Sequence, residues 1–275
     1  MLGVIPKEET FRIPGLNPIN IKGHSRSAKR TGYILMPYNI VLDAGYCFEK
    51  PSNLTLVSHG HHDHIAGLYQ LLRESTDRLV MIPPSIEKEV SNFLNSSFKL
   101  DGGTSNTFKW NPIITPNYKT KINGKDIYIN TYKLDHRVET IGFGIIEIKK
   151  KLREAYKDKS GKELGELIKK KVDVKYEVPV PILLFISDTS NTPLHYLPFD
   201  SYKLVIIECT FLLEKDYEDA QIKKHIHWFD LKQYVEINPN THFILGHFSA
   251  RYTDDFLKEK EITLKKIYSN ITFWI

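Results

Sequence analysis

Val57-Ser58-His59-Gly60-His61-His62-Asp63-His64 is the stretch that decides how this chain is read. The run Leu54 to Ser58 has the apolar, β-branched character of a short strand and a helical pattern begins near Ile65, so the histidines fall in the loop between them. In such a loop the alternate side chains His59 and His61 can converge on one ion, while the adjacent Asp63 and His64 turn toward a second. Imidazole plus carboxylate suits Zn²⁺, with Mn²⁺ as the alternative, and leaves a position for water. The plain alternative is a polar turn that happens to be rich in histidine. Four donors at this spacing after an apolar strand weigh against it.

Working outward, strand-like runs recur at 32–36, 40–42, 54–58, 79–82, 126–132, 142–148, 182–187, 203–207 and 242–245. Helical patterns lie between some of them, at 65–73, 85–94, 229–237 and 254–267. Strands gather early and late with helices interspersed in each half, which predicts an α/β fold of two sheets with helices covering their outer faces. No internal repeat or Pro/Gly-rich linker divides the chain, so residues 1–275 read as a single domain.

The exception is 149–175, KKKLREAYKDKSGKELGELIKKKVDVK. Apolar residues four apart at Leu152 and Tyr156, and three and four apart at Leu164, Leu167 and Ile168, predict two short amphipathic helices broken at Ser160-Gly161. The segment carries eleven Lys/Arg against five Asp/Glu, a net +6, whereas the whole chain has a net charge of +5. The body is therefore nearly neutral. Charge gathered on one element points to a polyanionic partner, although a solvated charged hairpin has the same composition.

Bulk features exclude several classes. With 41% hydrophobic and 26% charged residues the chain is an ordinary globular sequence, neither fibrous nor disordered. The longest apolar run, Val178 to Ile186, contains two prolines and falls far short of the ~20 residues of a membrane span, so no membrane partner is expected. Only Cys47 and Cys209 are present and the opening MLGVIPKEETFRIPG does not resemble a secretory signal, so a cytoplasmic, reducing location is expected.

H-x-H-x-D-H after a strand resembles the signature of the metallo-β-lactamase superfamily, whose fold is an αβ/βα sandwich of two sheets with metals at one edge. Leu134-Asp135-His136 before Gly142-Phe143 resembles its third-histidine motif. Ser187-Asp188-Thr189 resembles its G-D-T motif, with serine in place of glycine. Glu208-Cys209-Thr210-Phe211, His225-Ile226-His227 and Gly246-His247-Phe248-Ser249-Ala250-Arg251-Tyr252 are similar to the E-x-T-F, H-x-H and H-F-S-x-R-Y motifs of tRNase Z, in the short form of plants and other eukaryotes.

The resemblance implies two Zn²⁺, one held by His59, His61 and His136, the other by Asp63, His64 and His247, with Asp188 bridging. It implies an endoribonuclease that removes the 3′ trailer of precursor tRNA after the discriminator nucleotide, leaving a 3′-hydroxyl for CCA addition. In that scheme Asp63 is ligand and general base, and Glu208 with His225 protonates the leaving oxygen, His227 competing with His225 for that place. Ser249 and Arg251 are expected to contact phosphate or orient His247. Short-form members carry a protruding tRNA-gripping arm between the third histidine and the bridging aspartate, where Lys149, Lys150, Lys151, Arg153, Lys169, Lys170 and Lys171 lie. Such lysines would neutralise phosphates without reading bases. A homodimer is implied as well. His62, the x of H-x-H-x-D-H, is expected to point away, and His24, His195 and His242 match no motif and read as surface or packing residues. The alternatives are a hydrolase of small esters, thioesters or phosphodiesters on the same core, which has no use for a basic arm, and a catalytically silent RNA-binding relative, which has no use for a full ligand set.

Overall fold

The computed structural model describes residues 5–46, 52–73, 77–105 and 107–275. Cys47 lies outside them, and Cys209 is a buried free thiol. The first half runs β1 (Lys7–Phe11), β2 (Ile19–Arg26), β3 (Arg30–Met36), β4 (Ile40–Leu42), β5 (Leu54–Leu56), α1 (His62–Ile65), α2 (Leu68–Leu72), β6 (Leu79–Met81), α3 (Glu87–Leu100) and β7 (Asn111–Ile113). The second runs β8 (Tyr118–Ile122), β9 (Lys125–Leu134), β10 (Thr140–Leu152), α4 (Gly161–Lys169), β11 (Lys175–Ile186), β12 (Leu204–Glu208), α5 (Tyr217–Lys223), α6 (Trp228–Ile237), β13 (His242–Gly246), α7 (Asp254–Lys265) and β14 (Ile271–Phe273).

Each half forms a seven-stranded sheet, ordered β1-β2-β3-β4-β5-β6-β7 and β14-β13-β12-β11-β10-β9-β8. The first is antiparallel up to β4 and parallel from β4 to β7. The second repeats this, antiparallel from β8 to β11 and parallel from β11 to β14. Two α/β layers face each other, as the strand and helix pattern predicts.

The central strands are apolar throughout because both of their faces are covered. On β11, Leu183 and Phe185 enter the core between the sheets with Ile21, Leu42, Leu56 and Phe143, while Leu184 and Ile186 face outward into a layer formed with Leu231, Val235 and Leu257. On the other sheet α2 and α3 bury Leu68, Leu71, Val90 and Leu94 over Val41 and Val80. Each aliphatic side chain so buried contributes about 1.5–3 kcal/mol by removal from water.

One consequence positions the site. Strands β9, β11, β12 and β13 point the same way, so the loops after their C-terminal ends share one edge of the sandwich. The loops after β4 and β5 meet them there, as the contacts below establish.

The two predicted helices of 149–175 are corrected. β10 continues as a strand through Leu152, paired with Lys175 on β11, and residues 154–156 form a single 3-10 turn. Backbone pairing across β10 and β11 overrides the helical spacing of Leu152 and Tyr156. Only the second half is helical, as α4, which starts at Ser160 through a capping box with Glu163. The arm is thus a two-stranded stalk carrying one helix.

Candidate active site

Ser58, the last residue of the strand-like run, donates both its amide, 2.7 Å, and its hydroxyl, 2.9 Å, to the carboxylate of Asp43, just after β4. The same carboxylate meets His64 Nδ1 at 2.7 Å. With Nδ1 so engaged, His64 turns Nε2 outward, 3.5 Å from Asp63 Oδ2, 3.5 Å from Asp188 Oδ1 and 3.3 Å from His247 Nε2. Helix α1 holds this geometry because its backbone is stitched to the segment after β4, Ala44 donating to the His64 carbonyl at 2.7 Å. A side chain at Gly45 would sit 1.6 Å from the Asp63 carbonyl, so only glycine allows that approach. Ser187 occupies the glycine place of G-D-T and donates to Asp43 at 3.1 Å, adding to the support beneath His64.

The remaining donors arrive from the second sheet. His136, after β9, has Nδ1 2.9 Å from the Lys224 carbonyl. Asp188, after β11, divides its carboxylate: Oδ2 lies 3.7 Å from His59 Nε2 and 3.8 Å from His136 Nε2, while Oδ1 lies 3.5 Å from His64 Nε2 and 3.3 Å from His247 Nε2. His247, after β13, sits at a φ of 59°, held by Ser25 Oγ on its amide and by Thr210 Oγ1 on its ring and carbonyl. The structure therefore gathers His59, His61, His136 and Asp188 into one set and Asp63, His64 and His247 into another, with donor atoms within 4.8 Å of one another. Asp43, Thr210 and Ser25 were not legible as site residues. The first could have been suspected from an acid at the end of the apolar run Ile40 to Leu42, the others only from the fold.

These residues fit a metal ion. Among the described residues His136 Nε2, in the first set, and Asp188 Oδ1, facing the second, are buried with no hydrogen-bond partner, a costly state for polar atoms that an ion at each set would remove. Burial holds His59, His61 and His136 below the usual imidazole range, in the neutral form that can offer a lone pair. His64 differs: burial opposes its charge, but Asp188 and Asp43 outweigh burial and raise it. Burial likewise opposes the charge on Asp63, and hydrogen bonds from His247 and His64 more than offset it, so Asp63 stays ionised.

Beside these sets lies an acid–base pair. Glu208, the last residue of β12, holds His225 Nδ1 at 3.0 Å and is fixed by Thr189 N at 2.7 Å and Thr210 Oγ1 at 2.5 Å. Burial lowers His225, but the charge and hydrogen bond of Glu208 prevail and raise it to about 9. The His225 ring is 5.0 Å from that of His136 and 5.5 Å from that of His247. His227 is turned elsewhere, one nitrogen 3.0 Å from the Leu213 carbonyl and the other capping α6 through the Phe229 amide at 3.1 Å.

Ser249 hydrogen-bonds through its amide to the Thr210 carbonyl. Arg251, although exposed, gives its donors to Asp216 and Asp219 at 2.6 and 2.7 Å, not to His247. It ties down the segment that carries His225. On the arm, Lys150 lies 3.9 Å from Asp126 and Arg153 pairs with Asp173 at 2.6 Å. Among the described residues Lys149, Lys151, Lys169, Lys170 and Lys171 have no ion partner within 4.0 Å, and all but Lys149 are exposed. His62 and His195 are exposed, His24 approaches the Arg30 carbonyl at 3.3 Å and His242 meets Thr272 at 2.9 Å, all outside the donor sets.

No protein-family model matches the chain. Among curated proteins it is similar to tRNase Z TRZ1 of Arabidopsis thaliana, 28% identical over 258 residues, covering 90% of each chain. Among solved structures it resembles the short form of human tRNase Z, TM-score 0.56 at 16% identity over 91% of this chain and 93% of that one. The metallo-β-lactamase fold protein YhfI of Bacillus subtilis gives TM-score 0.57 at 14% identity over 94% and 96%. By its fold, by the order of its motifs and by similarity along nearly its whole length, the chain resembles the short-form tRNase Z proteins of the metallo-β-lactamase superfamily.

Proposed function

We propose that this chain is an endoribonuclease that cuts the 3′ trailer from precursor tRNA after the discriminator nucleotide and leaves a 3′-hydroxyl for CCA addition. The observation that carries this reading is the divided carboxylate of Asp188 between two histidine sets, with the Glu208–His225 pair beside it. Two Zn²⁺ would be held by His59, His61, His136 and Asp188, and by Asp63, His64, His247 and Asp188; when bound they acidify water and neutralise charge on a phosphodiester.

The chain's own residues do the rest. Asp63, ionised and partly exposed, orients the attacking water and accepts its proton. His225, imidazolium at neutral pH because of Glu208, donates to the departing 3′-oxygen. Glu208 fixes the ring so that Nε2 is the donating atom.

The core alone would serve many esters, so the substrate rests on the arm. Residues 149–175 form a gripping insertion in an otherwise single domain, and the exposed Lys151, Lys169, Lys170 and Lys171 neutralise RNA phosphates away from the cut. The chain works as a cytoplasmic homodimer in which the arm of one subunit serves the other's site; sedimentation at rising concentration measures the association. The main test is to incubate the purified, zinc-loaded protein with end-labelled precursor tRNA and map the product. A cut after the discriminator nucleotide is expected; no cut, or cuts scattered along the RNA, overturns the reading.

A further inference from the structure

Lys224 touches both halves of this chemistry. It stands at the C-terminal end of α5, directly before His225, with a φ of 55°. That left-handed turn is uncommon for a residue with a Cβ, and it aims the Lys224 carbonyl at His136 Nδ1, 2.9 Å away. A carbonyl only accepts, so Nδ1 carries the proton and the buried Nε2 is left with its lone pair facing Asp188 Oδ2 at 3.8 Å. The other end of the same residue grips the same loop: Lys224 Nζ donates to Asp135 Oδ1 at 2.6 Å.

Asp135 in turn joins two donor loops. Its Oδ2 accepts from Ser190 Oγ at 2.6 Å, its carbonyl accepts from the Ser190 amide at 2.7 Å, and its amide donates to Thr189 Oγ1 at 3.1 Å. The Asp135–His136 loop and the Asp188–Ser190 loop therefore move together, and Lys224 pins both to the turn that leads into His225.

We propose that Lys224 is a positioning residue: its carbonyl selects the tautomer in which His136 can take a metal ion, and its ammonium clip on Asp135 keeps that carbonyl in place. One turn then sets a metal donor and the proton donor in fixed relation. This inference rests on the reading of His59, His61, His136 and Asp188 as a metal-binding set. Lys224 and Asp135 are both partly exposed, and such ion pairs add little to global stability. The clip therefore acts on orientation, and removing it should leave melting unchanged.

The test uses Co²⁺ as probe in the full chain carrying His247→Ala, which takes a donor from the set of Asp63, His64 and His247. Adding Lys224→Met should weaken Co²⁺ binding about tenfold, near the lower end of what losing an outer partner of a metal ligand costs, and alter the visible spectrum. Lys224→Arg should restore both. In the metal-free full chain, ¹H–¹⁵N imidazole spectra should give the Nδ1–H tautomer alone for His136, and a mixture after Lys224→Met. Unchanged affinity, spectrum and tautomer in Lys224→Met overturn the inference, as does a weakening that comes with a lowered melting temperature or that Lys224→Arg fails to reverse. A His247→Ala parent that binds no Co²⁺ defeats the ligand assignment instead, while the imidazole spectra still decide the role of Lys224.

Discussion

His64 and Lys170 stand at two extremes of one chain. His64 is fully buried, its Nδ1 fixed by Asp43 and its Nε2 surrounded by Asp63, Asp188 and His247. Lys170 is exposed, and among the described residues no carboxylate pairs with it. The donor edge is built from groups that each have several bonded neighbours, so position there is exact and any loss is felt through the network. The arm holds its charges on flexible stems in water, where number and sign matter and individual placement does not. On the proposed reading, reaction and affinity are lodged in separate parts of the molecule, and variants should separate them.

The hardest test of that separation is Asp63→Ala. It should lower turnover of precursor tRNA by on the order of 10²–10⁴, the range that loss of a general base costs, with RNA binding by filter retention unchanged. Weakened RNA binding of similar size would mean that the two regions are not separate. Glu208→Gln should cost on the order of 10² on precursor tRNA and little on bis(p-nitrophenyl) phosphate, whose leaving group needs no proton. Equal losses on both substrates would remove Glu208 from proton transfer.

The same pair fixes a pH dependence. His225 is raised to about 9 by Glu208, so its acid form is present below that value and lost above it. Turnover of precursor tRNA should fall as pH rises through about 9. Glu208→Gln removes the charge that raises His225, and the alkaline limb should move to lower pH; a limb that stays in place breaks the assignment.

On the arm the effects are smaller and of a different kind. Replacing Lys169, Lys170 and Lys171 by alanine should reduce the slope of log affinity against log salt by roughly 2 to 3, at ~0.7–0.9 for each phosphate neutralised, with turnover of the small diester unaltered. An unchanged slope would deny the arm its proposed hold on RNA. Smallest of all, Ser160→Ala removes the cap of α4. It should unwind that helix locally, visible in amide exchange, while the melting temperature stays within about a degree because α4 lies outside the core.

Legibility in the sequence follows the same division. His59, His61, Asp63 and His64 lie within six residues, so spacing alone exposes them. His136, Asp188 and His247 are brought in from three other strand ends, and nothing local marks them; family resemblance named them because chain distance hides what the second sheet assembles. Asp43 and Thr210 escaped because their work is to hold other side chains. The layered fold was legible from apolar runs, but β1, β2, β7, β8 and β14 were not; in β2 only Ile19 and Ile21 are apolar, too few to mark a strand. In the arm the charge segregation was plain and the first helix was wrong, because long-range strand pairing outweighed local periodicity from Lys149 to Leu152.

Gly45 matches no motif, yet the Asp63 carbonyl occupies the space its side chain would need. Alanine at that position would push the Asp63 backbone away, so Gly45→Ala is expected to lower activity with every donor side chain intact. The spacing between two backbones is as heritable as the histidines it serves.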